Sequence, residues 1–195
     1  MKTTASRFQH AFARFDELNS EDPNQVLDDN GNAQPKELLY AERMTAGLLA
    51  FDPDASEVLQ LAARCQHIQR WKIPRSDYTA GKMGYKKWRN ELKRFHARAA
   101  AEVLEEVGYD AMTISRVQAL IKKKGLKSDP EVQTLEDVVC LVFLKHYAQE
   151  FAGKHTEEKV INILRKTWKK MSPAGHEAAL ALDLPDDLTK LIELA

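Results

Sequence analysis

The chain has few residues that break regular structure or cross-link it. Its 195 residues include eight glycines, seven prolines and two cysteines. So little glycine and proline argues against a turn-rich all-β domain and for long helices. Two cysteines, Cys65 and Cys140, are too few for the disulfide framework of a small secreted domain. Net charge is also missing: 29 basic residues balance 29 acidic ones. No global field therefore draws the chain to nucleic acid or a membrane, and any such signal must be local. Long apolar runs are absent as well. The longest, Val138 to Leu144, falls far short of the roughly 20 residues that span a bilayer. The opening MKTTASRFQHAFARFDELN lacks the apolar core of a signal peptide. The expectation is a soluble protein in a reduced, cytoplasmic setting, with no membrane partner.

Helical periodicity dominates what remains. A hydrophobic content of 44% with 30% charged residues is ordinary for a folded domain. The pattern predicts an all-α, single-domain bundle of about seven to nine helices over residues 1–195. Residues 1–34 form an N-terminal helix and loop, 35–153 the core and 154–195 a helical appendage. Helices are predicted over Thr4–Asn19, Pro35–Ala50, Ser56–Trp71, Lys86–Val107, Thr113–Lys124, Pro130–Phe151 and Thr156–Lys170, with a last one after Pro185. KIPRSDYTAGKMGY reads as a loop broken by Pro74, Gly81 and Gly84, and SPAGHEAAL as a break.

The local charge signal lies in ARCQHIQRWKIPR and GYKKWRNELKRFHARA. From Arg64 to Arg98 the chain carries eleven Lys or Arg against Asp77 and Glu91, a local charge of +9 in a neutral protein. A solvated helical face accounts for Lys86, Lys87, Lys93 and Arg94. It does not account for Arg70, Arg75 and Arg89 interleaved with Trp71, Tyr78, Tyr85 and Trp88. Guanidinium forks bind phosphate or carboxylate, and aromatic faces stack bases. Gly81 and Gly84 would let backbone N–H groups approach an anion. With Arg64, these residues are the candidate ligand-binding set. The ligand expected is an anionic small molecule or nucleotide, with an RNA strand also open.

Candidate chemistry sits nearby in sequence and on the core helix LEDVVCLVFL. Glu136 and Asp137 open a helix that is apolar all round, where a carboxylate must be paired, hydrogen-bonded or metal-bound. Helix capping or an arginine partner is the structural alternative. His96 shares a stripe with Leu92, Ala99, Ala100 and Val103, and His67 aligns with Ala63, Arg64 and Trp71. Glu42 falls on the half-apolar stripe Leu38, Glu42, Thr45, Leu49. A core histidine bonded to backbone and a surface salt bridge for Glu42 are the plain alternatives. Imidazole and carboxylate together suit a divalent transition metal such as zinc, iron, manganese or nickel. No H-E-x-x-H or paired C-x-x-C spacing accompanies them.

The run A-R-C-Q-H-I-x-R-W-x-x-P-R-x-x-Y-x-x-G-x-x-G-Y-x-x-W-R at 63–89, with F-H-A at 95–97 and L-E-D-V-x-C-L-V-F-L at 135–144, resembles a family of bacterial and fungal proteins known only as a domain of unknown function. It extends over nearly the whole chain and implies no activity. The helix order is also similar to the all-helical HD-domain metal-dependent phosphohydrolases. That likeness puts His67 near the place of the His-Asp pair, His96 at the downstream histidine and Asp137 at the late aspartate. No His is followed by Asp here, and the early histidine falls near Tyr40 or Glu42. The likeness therefore implies a metal set of Glu42, His67, His96 and Asp137, or loss of the metal.

Two functions follow. In the first, a metal-dependent phosphohydrolase acts on a phosphorylated small molecule or nucleotide. Asp137 and Glu136 supply the catalytic carboxylates, and Arg70, Arg75 and Arg89 clamp the phosphoryl group. In the second, a non-enzymatic helical module uses the basic aromatic segment to bind a nucleotide or RNA.

Overall fold

The structure, a computed structural model, describes residues 6–193. The fold is all-α, with one small hairpin. The chain forms two compact units. Among the described residues the first comprises 6–46 and 54–124, the second 47–53 and 125–193.

In the first unit, α1 (Arg7–Ser20) opens on a capping box in which Ser6 and Gln9 satisfy each other's backbone N–H. The expected start at Thr4 lies outside the described residues. Residues expected as loop hold a hairpin, β1 (Gln25–Leu27) antiparallel to β2 (Ala33–Pro35), in the register Val26 to Gln34. The Asp28 carboxylate accepts from Asn30 and Asn32 N–H, and Gly31 sits at φ +82°, so D-D-N-G supplies the turn chemistry. The hairpin leads into α2 (Lys36–Phe51), whose first turn is tied down by Asp22: its buried carboxylate accepts from the Glu37 N–H at 3.1 Å. That bond satisfies one orphan donor of the helix N-terminus.

Next, α3 (Glu57–Arg64) is capped by Ser56 and ends seven residues before the Trp71 expected from periodicity. The chain leaves the helix through a succession of turns. At their end Gln69 adopts a left-handed conformation (φ 51°), and its N–H donates to the buried Asn19 Oδ1 at 3.0 Å. Arg64 forms a two-pronged pair with Asp16, at 2.6 and 2.7 Å, so α1 fixes both ends of this segment. Single 3-10 turns follow at Arg70–Lys72 and Arg75–Asp77. The long α4 (Gly81–Glu106) then begins five residues earlier than expected. Gly81 enters it at φ +84°. Gly84 is buried against the Thr79 backbone, where a Cβ would collide with the carbonyl oxygen. These glycines serve a turn and a close packing contact. α5 (Ala111–Ile121), capped by Asp110, packs on α3 and α4.

The second unit contains α6 (Pro130–His146), α7 (Ala148–Gly153), α8 (Glu157–Trp168), α9 (Pro173–Leu180) and α10 (Asp186–Glu193). Its core gathers Leu141, Leu144, Val160, Leu164, Met171 and Leu188. The expected break at SPAGHEAAL is α9. Ser172 is its N-cap and Pro173 its first residue, the pairing in which proline favours a helix start. Both cysteines are buried free thiols, and burial pushes the Cys65 thiol up. Among the described residues no helix is long and apolar enough to cross a membrane.

Candidate anion-binding site

The first unit brings two histidines together. His96, on α4 and 3% exposed, donates from Nδ1 to the Ile68 carbonyl oxygen at 2.9 Å. A carbonyl can only accept, so this bond assigns the proton to Nδ1 and leaves a lone pair on Nε2. His67, in the turns after α3, lies with its ring centroid 5.7 Å from that of His96. The His67 ring also stacks on Tyr40 of α2, with centroids 4.0 Å apart. Arg70 places Nη1 at 3.2 Å from Nδ1 and 3.1 Å from Nε2 of His67, a cation set evenly against both ring nitrogens. The Arg70 guanidinium also lies 5.1 Å from the Trp88 ring.

Glu37 is the buried carboxylate of this cluster. It is 5% exposed, with Oε2 at 3.4 Å from His67 Nδ1. Burial raises its pKa against the opposing pull of Arg70, Lys36 and His96. Burial also lowers that of Arg70. His67 is pushed well below the usual imidazole range by burial, then by Arg70, Arg89, Lys123 and Lys36. For His96, burial and the neighbouring His67 bring the value down to about 3. Both imidazoles are therefore neutral near pH 7, and the Glu37–His67 contact is not an ion pair.

Beside these rings opens a recess of about 280 Å³, its mouth included, lined among others by Gln66, His67, Arg89, Lys93, His96 and Lys123. Among the described residues no carboxylate pairs with the half-buried Arg89. Two buried atoms of the lining have no hydrogen-bond partner, His96 Nε2 and Gln66 Oε1.

Of the residues predicted to bind the ligand, Arg70, Trp88 and Arg89 join this cluster. Others have local tasks. Arg64 is held by Asp16 and lies 3.4 Å from Thr45 Oγ1. Arg75 donates to the Tyr78 and Thr79 carbonyls, closing the turn before α4. Trp88 itself donates Nε1–H to the Ile73 carbonyl at 2.9 Å. Trp71 and Tyr78 are half-buried, while Tyr85 is exposed with its ring 5.7 Å from that of Trp88.

The expected metal set is divided between the units. Glu42 is exposed on α2, and Glu37, five residues earlier on a different face, is the carboxylate that meets His67. Asp137 belongs to the second unit, where it is 1% exposed. Its Oδ1 accepts from Ser172 N at 2.8 Å and Gln133 Nε2 at 3.2 Å, and its Oδ2 from Ser172 Oγ at 2.6 Å. Ser172 Oγ accepts in turn from Gly175 N, so Asp137 anchors the start of α9. Glu136, 2% exposed, has Lys170 Nζ at 3.5 Å. Among the described residues no three of His, Cys, Asp and Glu are grouped to hold a metal ion. Around His67 the surrounding groups are mostly cations, which oppose a dication there.

A family model described as a domain of unknown function, DUF4202, matches residues 9–192. The chain belongs to the DUF4202 family. No curated protein and no solved structure matches this DUF4202 chain.

Two outcomes follow from this geometry. Asp137→Ala leaves the Ser172 N–H and hydroxyl without their acceptor and should lower unfolding stability by about 3 kcal/mol, read by urea denaturation. Stability should also fall on acidification. The folded value of His96 is depressed to about 3, so below the unfolded value near 6.5 the unfolded chain takes a proton that the folded one refuses. The contribution is complete above about pH 6.5 and is lost toward pH 3, at up to about 1.4 kcal/mol per pH unit for this one group. Denaturation midpoints between pH 7 and 4 check this, and His96→Phe should flatten the dependence.

Proposed function

We propose that the first unit of this DUF4202 protein binds a phosphorylated small molecule in the recess beside His67 and His96. The observation that carries this is Arg89, a half-buried guanidinium without a carboxylate partner among the described residues. It shares the recess with Lys93, Lys123 and two neutral imidazoles. A cation held in a partly desolvated wall gains most from an anion that its planar fork can grip. Phosphate fits that demand, and the neutral imidazoles nearby add no competing charge. Much of the space of the recess is its open mouth, so little of it is enclosed, which favours a phosphoryl group with a short attached body over an enclosed nucleotide.

Isothermal titration with ethyl phosphate at low ionic strength tests the reading. Binding should weaken about tenfold or more in Arg89→Ala, the loss of one charge-assisted hydrogen bond. Thermal stability should change little, since Arg89 holds no structural pair. Undetectable binding to the wild type, or affinity unchanged by the substitution, would remove the proposal.

The approach of His67 to His96 favours a second reading, a metal-assisted phosphohydrolase similar to the HD-domain enzymes. Elemental analysis of protein purified without chelators separates the two. Near-stoichiometric transition metal that is lost in His96→Ala would support the hydrolase. Metal-free protein that still binds ethyl phosphate would leave the binding module.

A further inference from the structure

Two residues of the recess lining carry a demand that phosphate alone does not meet. His96 and Gln66 both line the recess, and His96 Nε2 and Gln66 Oε1 are buried without a hydrogen-bond partner. Both are acceptors: the Ile68 carbonyl takes the only proton of the neutral His96 ring, and a Gln carbonyl oxygen has no proton to give. Leaving a buried acceptor unmet is costly, because it has lost its water without gaining a donor. A phosphate dianion would not relieve it, since it brings only further lone pairs. What these atoms require is a donor placed close to the group that Arg89 holds.

The geometry points to a hydroxyl-binding subsite formed by His96 Nε2 and Gln66 Oε1, which makes the ligand class a small hydroxylated phosphate ester, a sugar or polyol phosphate. This rests on the phosphate reading above and extends it to the body of the ligand. Arg89 takes the phosphoryl oxygens, with Lys93 and Lys123 in the same lining, while His96 and Gln66 accept from hydroxyls on the attached carbons. Because solvent does not reach either acceptor, ligand entry involves a rotamer change among the lining side chains. Sites built on buried acceptors discriminate strongly against analogues that lack the donor, because the acceptors are then left unpaired.

The test compares ribose 5-phosphate with ethyl phosphate by calorimetry at pH 8. There a phosphomonoester has lost its second proton, so any donor comes from the sugar. The wild type should bind ribose 5-phosphate at least tenfold more tightly. Gln66→Leu and His96→Phe should each reduce that advantage several-fold and leave the ethyl phosphate affinity within about twofold. His96→Phe also removes the bond to Ile68, so its fold is checked by circular dichroism. If it fails to fold, Gln66→Leu carries the test, because that side chain makes no hydrogen bond among the described residues. Equal affinity for the two esters, or an advantage untouched by the substitutions, would overturn the subsite and leave phosphate binding standing. Absence of binding to either ester would overturn both.

Discussion

The hydrogen bond from His96 Nδ1 to the Ile68 carbonyl is the constraint on which the first unit's site depends. It joins α4 to the turns after α3, and it decides which nitrogen carries the proton. With that choice made, Nε2 is left as a buried lone pair on the recess lining. The turns it grips are held independently from the other side. Asn19 accepts from Gln69 N–H, and Asp16 clamps Arg64 at the end of α3. His67 sits between these anchors, so its stacking on Tyr40 and its approach to His96 follow from backbone held at both ends.

Charge completes the arrangement. A neutral protein places Arg70, Arg89, Lys123 and Lys36 around one imidazole, with Glu37 as the buried counter-charge. Burial discourages every charged form in this region, and the cations discourage one further proton on His67. The outcome is a pair of neutral rings in a positive setting. That setting is the basis for proposing an anion as the ligand. The second unit has a different use for its buried acid: Asp137 accepts three hydrogen bonds and anchors α9.

Much of this was legible in the sequence. Helical class followed from periodicity and scarce breakers, and the basic aromatic segment does supply His67, Arg70, Trp88 and Arg89. The failures have particular causes. α2 is apolar on two sides, so the half-apolar stripe through Glu42 does not mark its buried face. Leu38, Glu42, Thr45 and Leu49 face outward to varying degrees, while Glu37, Tyr40, Ala41 and Met44 are buried. Asp22, which fixes the first turn of α2, lay in a segment read as loop, where a remote capping role leaves no local pattern. Gly81 and Gly84 looked like loop punctuation because glycine signals both freedom and close approach, and only packing on Thr79 separates the two. Gln66 and Lys123 had no signal at all, since their part arises from the meeting of the turns after α3 with the end of α5.

The most direct measurement is long-range proton–nitrogen NMR of the histidines at pH 6, before and after addition of inorganic phosphate. His96 should appear as a neutral ring protonated at Nδ1, and His67 should also be neutral. Phosphate should shift both while leaving His155, an exposed histidine of the second unit, in place. Ordinary titration of His67 and His96 near pH 6.5, or no response of either to phosphate, would contradict the account.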